Sequence, residues 1–322
     1  MGVRHAGDLH LSEKRDHGGG LDAAVAQYGG TRGDWTDLST GINPVPYPIP
    51  PVPMGAWTDL PEQEAAMRLT AAARRFWSVP EGAGVLAAPG ASALIAQIPR
   101  LATAGTVTIP APTYNEHAAS FAADGWQVRT QGPGDAQVLV HPNNPDGIVW
   151  SQADVHAPLP INDESFCDIA PERSLIQHAT RPGTLILKSV GKFWGLAGLR
   201  LGFVVGDPAL VARLADMLGP WPVSGIAAHV GADALEDAAW AEQTRARLAT
   251  DAARLDRLFE ANGAEVVGGT SLFRLYRVDA AEAWQDRLAR HRVWSRTFPY
   301  ASDWLRIGLP APDQWALLER AV

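Results

Sequence analysis

The segment SVGKFWGLAGLRLGF, residues 189–203, begins at the end of the apolar run GTLILKSV, residues 183–190. The run reads as a strand and the segment as the turn that leaves it. Lys192 stands in that turn among small residues, with Gly195, Gly198 and Arg200 downstream. These glycines follow the lysine, whereas a nucleotide-binding P-loop needs them before it. A lone lysine in a glycine-rich turn is ordinarily a solvated side chain, so its meaning depends on its companions.

On either side, short β-rich runs alternate with helical ones. GVLAAP (residues 84–89), TVTIPAP (106–112), QVLVHP (137–142), LPINDESF (159–166) and LGFVVG (201–206) read as strands. LDAAVAQYG (21–29), PEQEAAMRLTAAARRFW (61–77), ASALIAQIPRLA (91–102) and YNEHAASFAADG (114–125) read as helices. The pattern predicts an α/β fold with a mostly parallel central sheet covered by helices. Ligands of such sheets bind at the carboxyl ends of the strands. INPVPYPIPPVP (42–53) has too many prolines for helix or central strand and reads as an extended crossing segment. A long amphipathic helix over 240–263 leads into strand-like EVVGGTSLFRLYRV (265–278) and WLRIGLP (304–310), a smaller α+β part.

The 322 residues are 46% hydrophobic and 19% charged, a globular composition. A formal charge of −8 without a basic run disfavours nucleic acid and anionic membranes as partners. The lone cysteine, Cys167, excludes an internal disulfide and a multi-cysteine zinc site. It reads as a packing residue, and no metal is expected. No apolar run approaches a membrane span, and the start has no apolar signal-peptide core. Gly2 lacks the Ser or Thr that myristoylation needs, since Ala6 fills that place. A cytoplasmic enzyme is expected. Residues 1–16 read as a loose tip, with His5 and His10 exposed, and the twelve tryptophans read as packing residues.

Three companions give Lys192 its meaning. HPNNPDG (141–147) follows one strand, and Asp163 in NDESF ends another. A carboxylate at the end of an apolar strand is costly unless it meets a cation or a donor. PGAS (89–92) is a glycine turn into a helix, and such turns suit a phosphate. A lysine for a Schiff base, an acid for a pyridine nitrogen and an anion site are the needs of pyridoxal 5′-phosphate, PLP. With PTY (112–114) and LRIG (305–308), these motifs resemble the fold-type I, class I/II aminotransferase superfamily.

The resemblance implies a PLP-dependent transferase fold with a large α/β domain over 38–237. The smaller domain would combine 1–37 with 238–322. Homodimerisation is implied as well. Lys192 would carry the Schiff base, Asp163 would pair with the ring nitrogen, and Asn144 would donate to the ring's phenolic oxygen. Tyr114 would lie against the ring face. Gly90, Ala91 and Ser92 would hold the phosphate with Ser189 and Arg200. Arg306 would clamp a substrate carboxylate. This sequence also departs from the superfamily. Phe166 replaces a tyrosine, Gly191 a Ser or Thr, Asp146 a Thr, and Leu60 a tyrosine that reaches the neighbouring subunit's cofactor.

HGGG (17–20), DLSTGINPVPYPIP (37–50) and LGPWPVSG (218–225) are similar to one branch, the L-threonine-O-3-phosphate decarboxylases of cobalamin biosynthesis. That branch forms (R)-1-amino-2-propanol O-2-phosphate. A substrate of this kind carries a carboxylate and a phosphate. His17 with the amides of Gly18 and Gly19, and Arg296, are expected at the substrate phosphate, and Asn43 is expected to line the pocket. An aminotransferase acting on histidinol phosphate is the alternative, and it would keep every PLP residue.

Overall fold

The computed structural model describes residues 17–322; His5, His10 and the loose tip expected before His17 lie outside them. The chain opens with α1 (Leu21–Tyr28), β1 (Thr36–Asp37), α2 (Gly55–Thr58) and α3 (Gln63–Phe76). Then come β2 (Gly84–Ala88), α4 (Ala91–Gln97), β3 (Thr106–Thr108), α5 (Asn115–Ala123), β4 (Gln127–Arg129), β5 (Ala136–Val140), β6 (Leu159–Asp163), β7 (Leu185–Ser189) and β8 (Gly202–Gly206). Helices α6 (Pro208–Leu218), α7 (Gly225–Glu236) and α8 (Ala238–Glu260) follow. The chain closes with β9 (Glu265–Thr270), β10 (Phe273–Arg277), α9 (Ala281–Arg290), β11 (Val293–Trp294), β12 (Arg296–Phe298), β13 (Ala301–Gly308) and α10 (Trp315–Ala321).

Among the described residues, β2–β8–β7–β6–β5–β3–β4 form a seven-stranded sheet. Its pairs are parallel except for β8, which runs against both β2 and β7. The fold is thus the expected α/β sheet with one reversed strand. Every residue of β5, β6 and β8 is buried. Such strands need apolar side chains on both faces, which is why their sequences run apolar instead of alternating. β3 is shorter than TVTIPAP suggested, because Pro110 and Pro112 cannot donate to a ladder.

Helices cover both faces. Leu185 and Leu187 of β7 join a core with Leu94, Ile98, Phe121 and Leu214. Ile186 faces the other way, into a core with Leu69, Trp77, Phe203 and Val230. Small residues along α7 let neighbours approach; a Cβ on Gly231 would sit 2.3 Å from a methyl of Leu201. Caps fix the helix starts: Asp207 accepts from Ala209 N–H at 2.9 Å, and Ser224 accepts from Ala227 N–H at 3.2 Å.

A second sheet, β12–β13–β10–β9, is antiparallel, and β1 pairs in parallel with β11. Residues 42–53 cross the molecule without regular structure, as the prolines require. Tyr47 of this segment is buried edge-on against Trp194 and Trp240. No helix among the described residues is long and apolar enough to cross a membrane.

Candidate active site

The carboxyl ends of β2, β5, β6 and β7 open at one edge of the large sheet. Because β8 is reversed, its first residue sits at the same edge, with Gly202 paired to both Ala88 and Ser189. Two cavities meet there. The larger, about 360 Å³, is lined among others by His17, Gly18, Arg296 and Arg306. The smaller, about 120 Å³, is lined by Gly90, Ala91, Ser92, Asp163, Ser189 and Arg200. Tyr114, Asn144, Phe166 and Lys192 line both.

Lys192 stands at the junction. Burial depresses the pKa of its amine to about 8, and the nearby Arg306 and Arg200 add to the effect while Asp163 opposes it. A Lys192 amine with such a pKa gives up its proton, and so becomes nucleophilic, at a pH well below that of an ordinary lysine. Its backbone carbonyl accepts from Asn43 N–H at 3.0 Å.

Asp163 ends β6 and is 4% exposed. One carboxylate oxygen accepts from Ser165 Oγ at 2.6 Å and from its N–H at 3.0 Å. The other lies 2.8 Å from His117 Nε2. Burial works to raise the pKa of this group. The hydrogen bond and charge of His117, with the Ser165 bonds, outweigh it and hold the carboxyl below its usual range. His117 is buried in the first turn of α5, and the ring of Tyr114 meets it edge-on at 6.0 Å. Sequence reasoning missed His117. The spacing in Tyr114-Asn-Glu-His117 at a helix start puts both side chains on one face, and that was the available signal.

The turn after β2 is built for close approach. Gly90 has φ +81°, and a Cβ there would lie 2.7 Å from Arg200 Nη2. Only glycine lets the guanidinium settle over this turn. Phe166 packs edge-on against Phe273 at 5.1 Å, with Lys192 Nζ 5.6 Å from its centroid.

Arg306 lies on β13, directly opposite Arg296 of β12. It donates to Asn144 Oδ1, and to Ser39 O at 2.5 Å. His17 Nε2 is 2.8 Å from Glu116 Oε1. Two residues expected at the substrate site have their polar groups engaged with the protein itself. Asn43 does not line the cavity: its side chain donates to Phe193 O at 2.8 Å and accepts from Val45 N–H at 3.0 Å and Arg247 at 2.6 Å. It braces the chain around Lys192 instead. Gly19 spends its N–H on Ser39 Oγ at 2.6 Å, so that amide is not offered to an anion. Cys167 is fully buried with its pKa raised by burial, which suits a packing role and not a nucleophile.

A lysine, a buried carboxylate and a glycine-lined anion turn at one sheet edge define a class of protein, and the chain belongs to the aminotransferase class I and II family, whose model matches residues 54–322. Among individual relatives, it is 38% identical to the threonine-phosphate decarboxylase of Pseudomonas aeruginosa over 95% of this chain and 97% of that one. It is 40% identical to the threonine-phosphate decarboxylase of a Sinorhizobium species, over 92% and 93% of the two chains. A histidinol-phosphate aminotransferase of Rhizobium meliloti is 30% identical over 59% of this chain and 58% of its own. Among solved structures, the Sinorhizobium meliloti histidinol-phosphate aminotransferase in complex with pyridoxal 5′-phosphate superimposes with a TM-score of 0.78 at 19% identity, covering 94% and 93% of the chains.

Proposed function

We propose that the protein is a PLP-dependent carboxy-lyase that decarboxylates L-threonine O-3-phosphate to (R)-1-amino-2-propanol O-2-phosphate, a reaction of cobalamin biosynthesis. The observation that carries this reading is the facing pair Arg296 and Arg306 on the wall of the cavity that holds Lys192. Like charges directly opposite on a ladder disfavour each other. A ligand with a carboxylate and a phosphate turns that pair into two anion sites. His17 adds a third polar group at the same wall.

The cofactor is PLP, and the smaller cavity fits it. Asp163 is buried and aimed into it, Gly90 leaves a cradle that a Cβ would fill, and Arg200 and Ser189 line the same space. When bound, the cofactor supplies a sink for the electron pair released at the substrate's Cα. Lys192, at the junction of the two cavities, would hold the cofactor and present its amine to the substrate. Asp163, oriented by His117 and Ser165, holds a proton at the ring nitrogen. Asn144 and Tyr114, which line the same space, would hold the ring. Arg306 orients the substrate carboxylate so that the Cα–carboxylate bond is the one that breaks. Lys192 Nζ then returns a proton to Cα.

The assembly is a homodimer working in the cytoplasm. Met54, Trp57, Leu60 and Met67 are all more than half exposed, an apolar group suited to a second copy. The large unit spans 38–237, and the pairing of β1 with β11 supports grouping 1–37 with 238–322.

Purified protein with PLP and L-threonine O-3-phosphate, without keto acid, tests the reading by mass spectrometry of the product. Repeated turnover to an aminopropanol phosphate is expected. Absence of that product, with amino transfer from histidinol phosphate to 2-oxoglutarate, would replace the decarboxylase with the aminotransferase.

A further inference from the structure

On the face of the large sheet away from the smaller cavity lies a second buried charged cluster. Lys188 of β7 and Glu164, just after β6, are 2% and 1% exposed. Lys188 Nζ is 2.5 Å from Glu164 Oε2. Glu164 also accepts from Ser174 Oγ at 2.5 Å and Leu175 N–H at 2.6 Å. Asp168, 4% exposed, accepts from Trp77 Nε1 at 2.8 Å and Trp194 Nε1 at 3.1 Å. Trp194 stacks on Trp240 with centroids 5.2 Å apart.

His141, Glu164 and Cys167 bring potential metal ligands within 4.8 Å of one another. The Lys188 ammonium already supplies the positive charge there. Burial opposes that charge, but Glu164 and Asp168 outweigh it and keep Lys188 protonated. A buried ion pair of this kind seldom stabilises a fold more than apolar residues of the same volume. Position in the chain gives it another role. Glu164 adjoins Asp163, Lys188 precedes the Lys192 turn, and Trp194 stands two residues after Lys192 within it.

We infer that the Lys188–Glu164 pair and the Asp168–Trp194 bond form a positioning device, which ties the chain on both sides of Lys192 to the segment that leaves β6 and so aims the Lys192 amine toward Asp163. This rests on Lys192 being the cofactor lysine. Lys188, Glu164, Asp168 and Trp194 are positioning residues; none lines either cavity.

The test compares the PLP-loaded parent, Lys188→Met/Glu164→Gln, Lys188→Arg and Lys192→Ala. Readouts are the pH midpoint of the visible band of lysine-bound cofactor, PLP retention, and kcat and KM separately. The double variant should shift the midpoint by about half a unit or more. Its kcat should fall roughly tenfold to hundredfold with KM nearly unchanged, as misaligned reacting groups do. Lys188→Arg should restore both. A double variant with the parent's midpoint and kcat overturns the inference. If the double variant does not fold, Trp194→Phe, which keeps the stack and loses the bond to Asp168, must itself shift the midpoint by about half a unit; no shift overturns it. A parent whose band survives Lys192→Ala overturns the reading of Lys192 and this inference with it.

Discussion

Lys192 sits among Arg306, Arg200 and Asp163, and its pKa near 8 has a consequence for the cofactor-free protein. Between about 8 and the usual 10.5, the unfolded chain binds a proton that the folded site releases. The contribution of this group to stability therefore rises with pH through that window. Thermal unfolding of the cofactor-free parent and Lys192→Met should differ most at pH 7.5 and converge toward pH 10. Arg306→Lys removes a planar fork from the cavity wall. It should lower kcat/KM by about 1.5–3 kcal/mol, roughly tenfold to hundredfold, while PLP stays bound. Steady-state kinetics and the cofactor absorption check both. Lys192, Asp163 and Asn144 were legible as candidates because each follows or ends a recognisable strand, and Arg306 because it stands in the LRIG motif within one. Direction was not legible. Asn43 and Gly19 lie close in the chain to cavity residues, yet their polar groups are spent on Phe193 and Ser39. His117 gains its partner only when α5 packs beside β6.

At the scale of elements, the turn after β2 depends on Gly90. Gly90→Ala meets both an unfavourable φ and the Arg200 guanidinium. The strain amounts to about 1–3 kcal/mol, and PLP affinity should fall roughly tenfold or more while the fold persists. Fluorescence titration with PLP measures it. Asp207→Ala tests a helix end remote from the chemistry. It removes the α6 cap and a bond to Gly183 N–H at 2.8 Å. Urea unfolding should show a loss of about 0.5–2 kcal/mol with kcat unchanged. The Asp207 pKa is lowered chiefly by its bond to Gly183, so this stabilisation is present above the usual 3.8 and fades as pH falls through the lower folded value. Strands β5 to β8 could be read in the sequence because burial on both faces demands continuous apolar runs, and the partly buried β2 keeps a similar run. The reversal of β8 could not, since LGFVVG reads alike in either direction. The strands β1, β4, β11 and β12 span only two or three residues and exist through their partners.

At the scale of the whole molecule, the exposed apolar group around α2 and α3 carries the expectation of a dimer. Sedimentation should give a mass of twice 34.4 kDa. Trp57→Asp with Leu60→Asp should shift it toward one copy without altering the circular dichroism. A parent that sediments as one copy would remove the dimer from the reading. The −8 charge and the absence of a basic run speak to solubility and partners, and they left assembly open.

Ser189 and Gly202 share one rung of the β7–β8 ladder. The chain between them, which carries Lys192 and Arg200, thus leaves the sheet and re-enters it at a single point. It behaves as a cassette. Chimeras that exchange residues 190–201 with a related chain can swap both cationic groups at once and leave the register of every strand undisturbed.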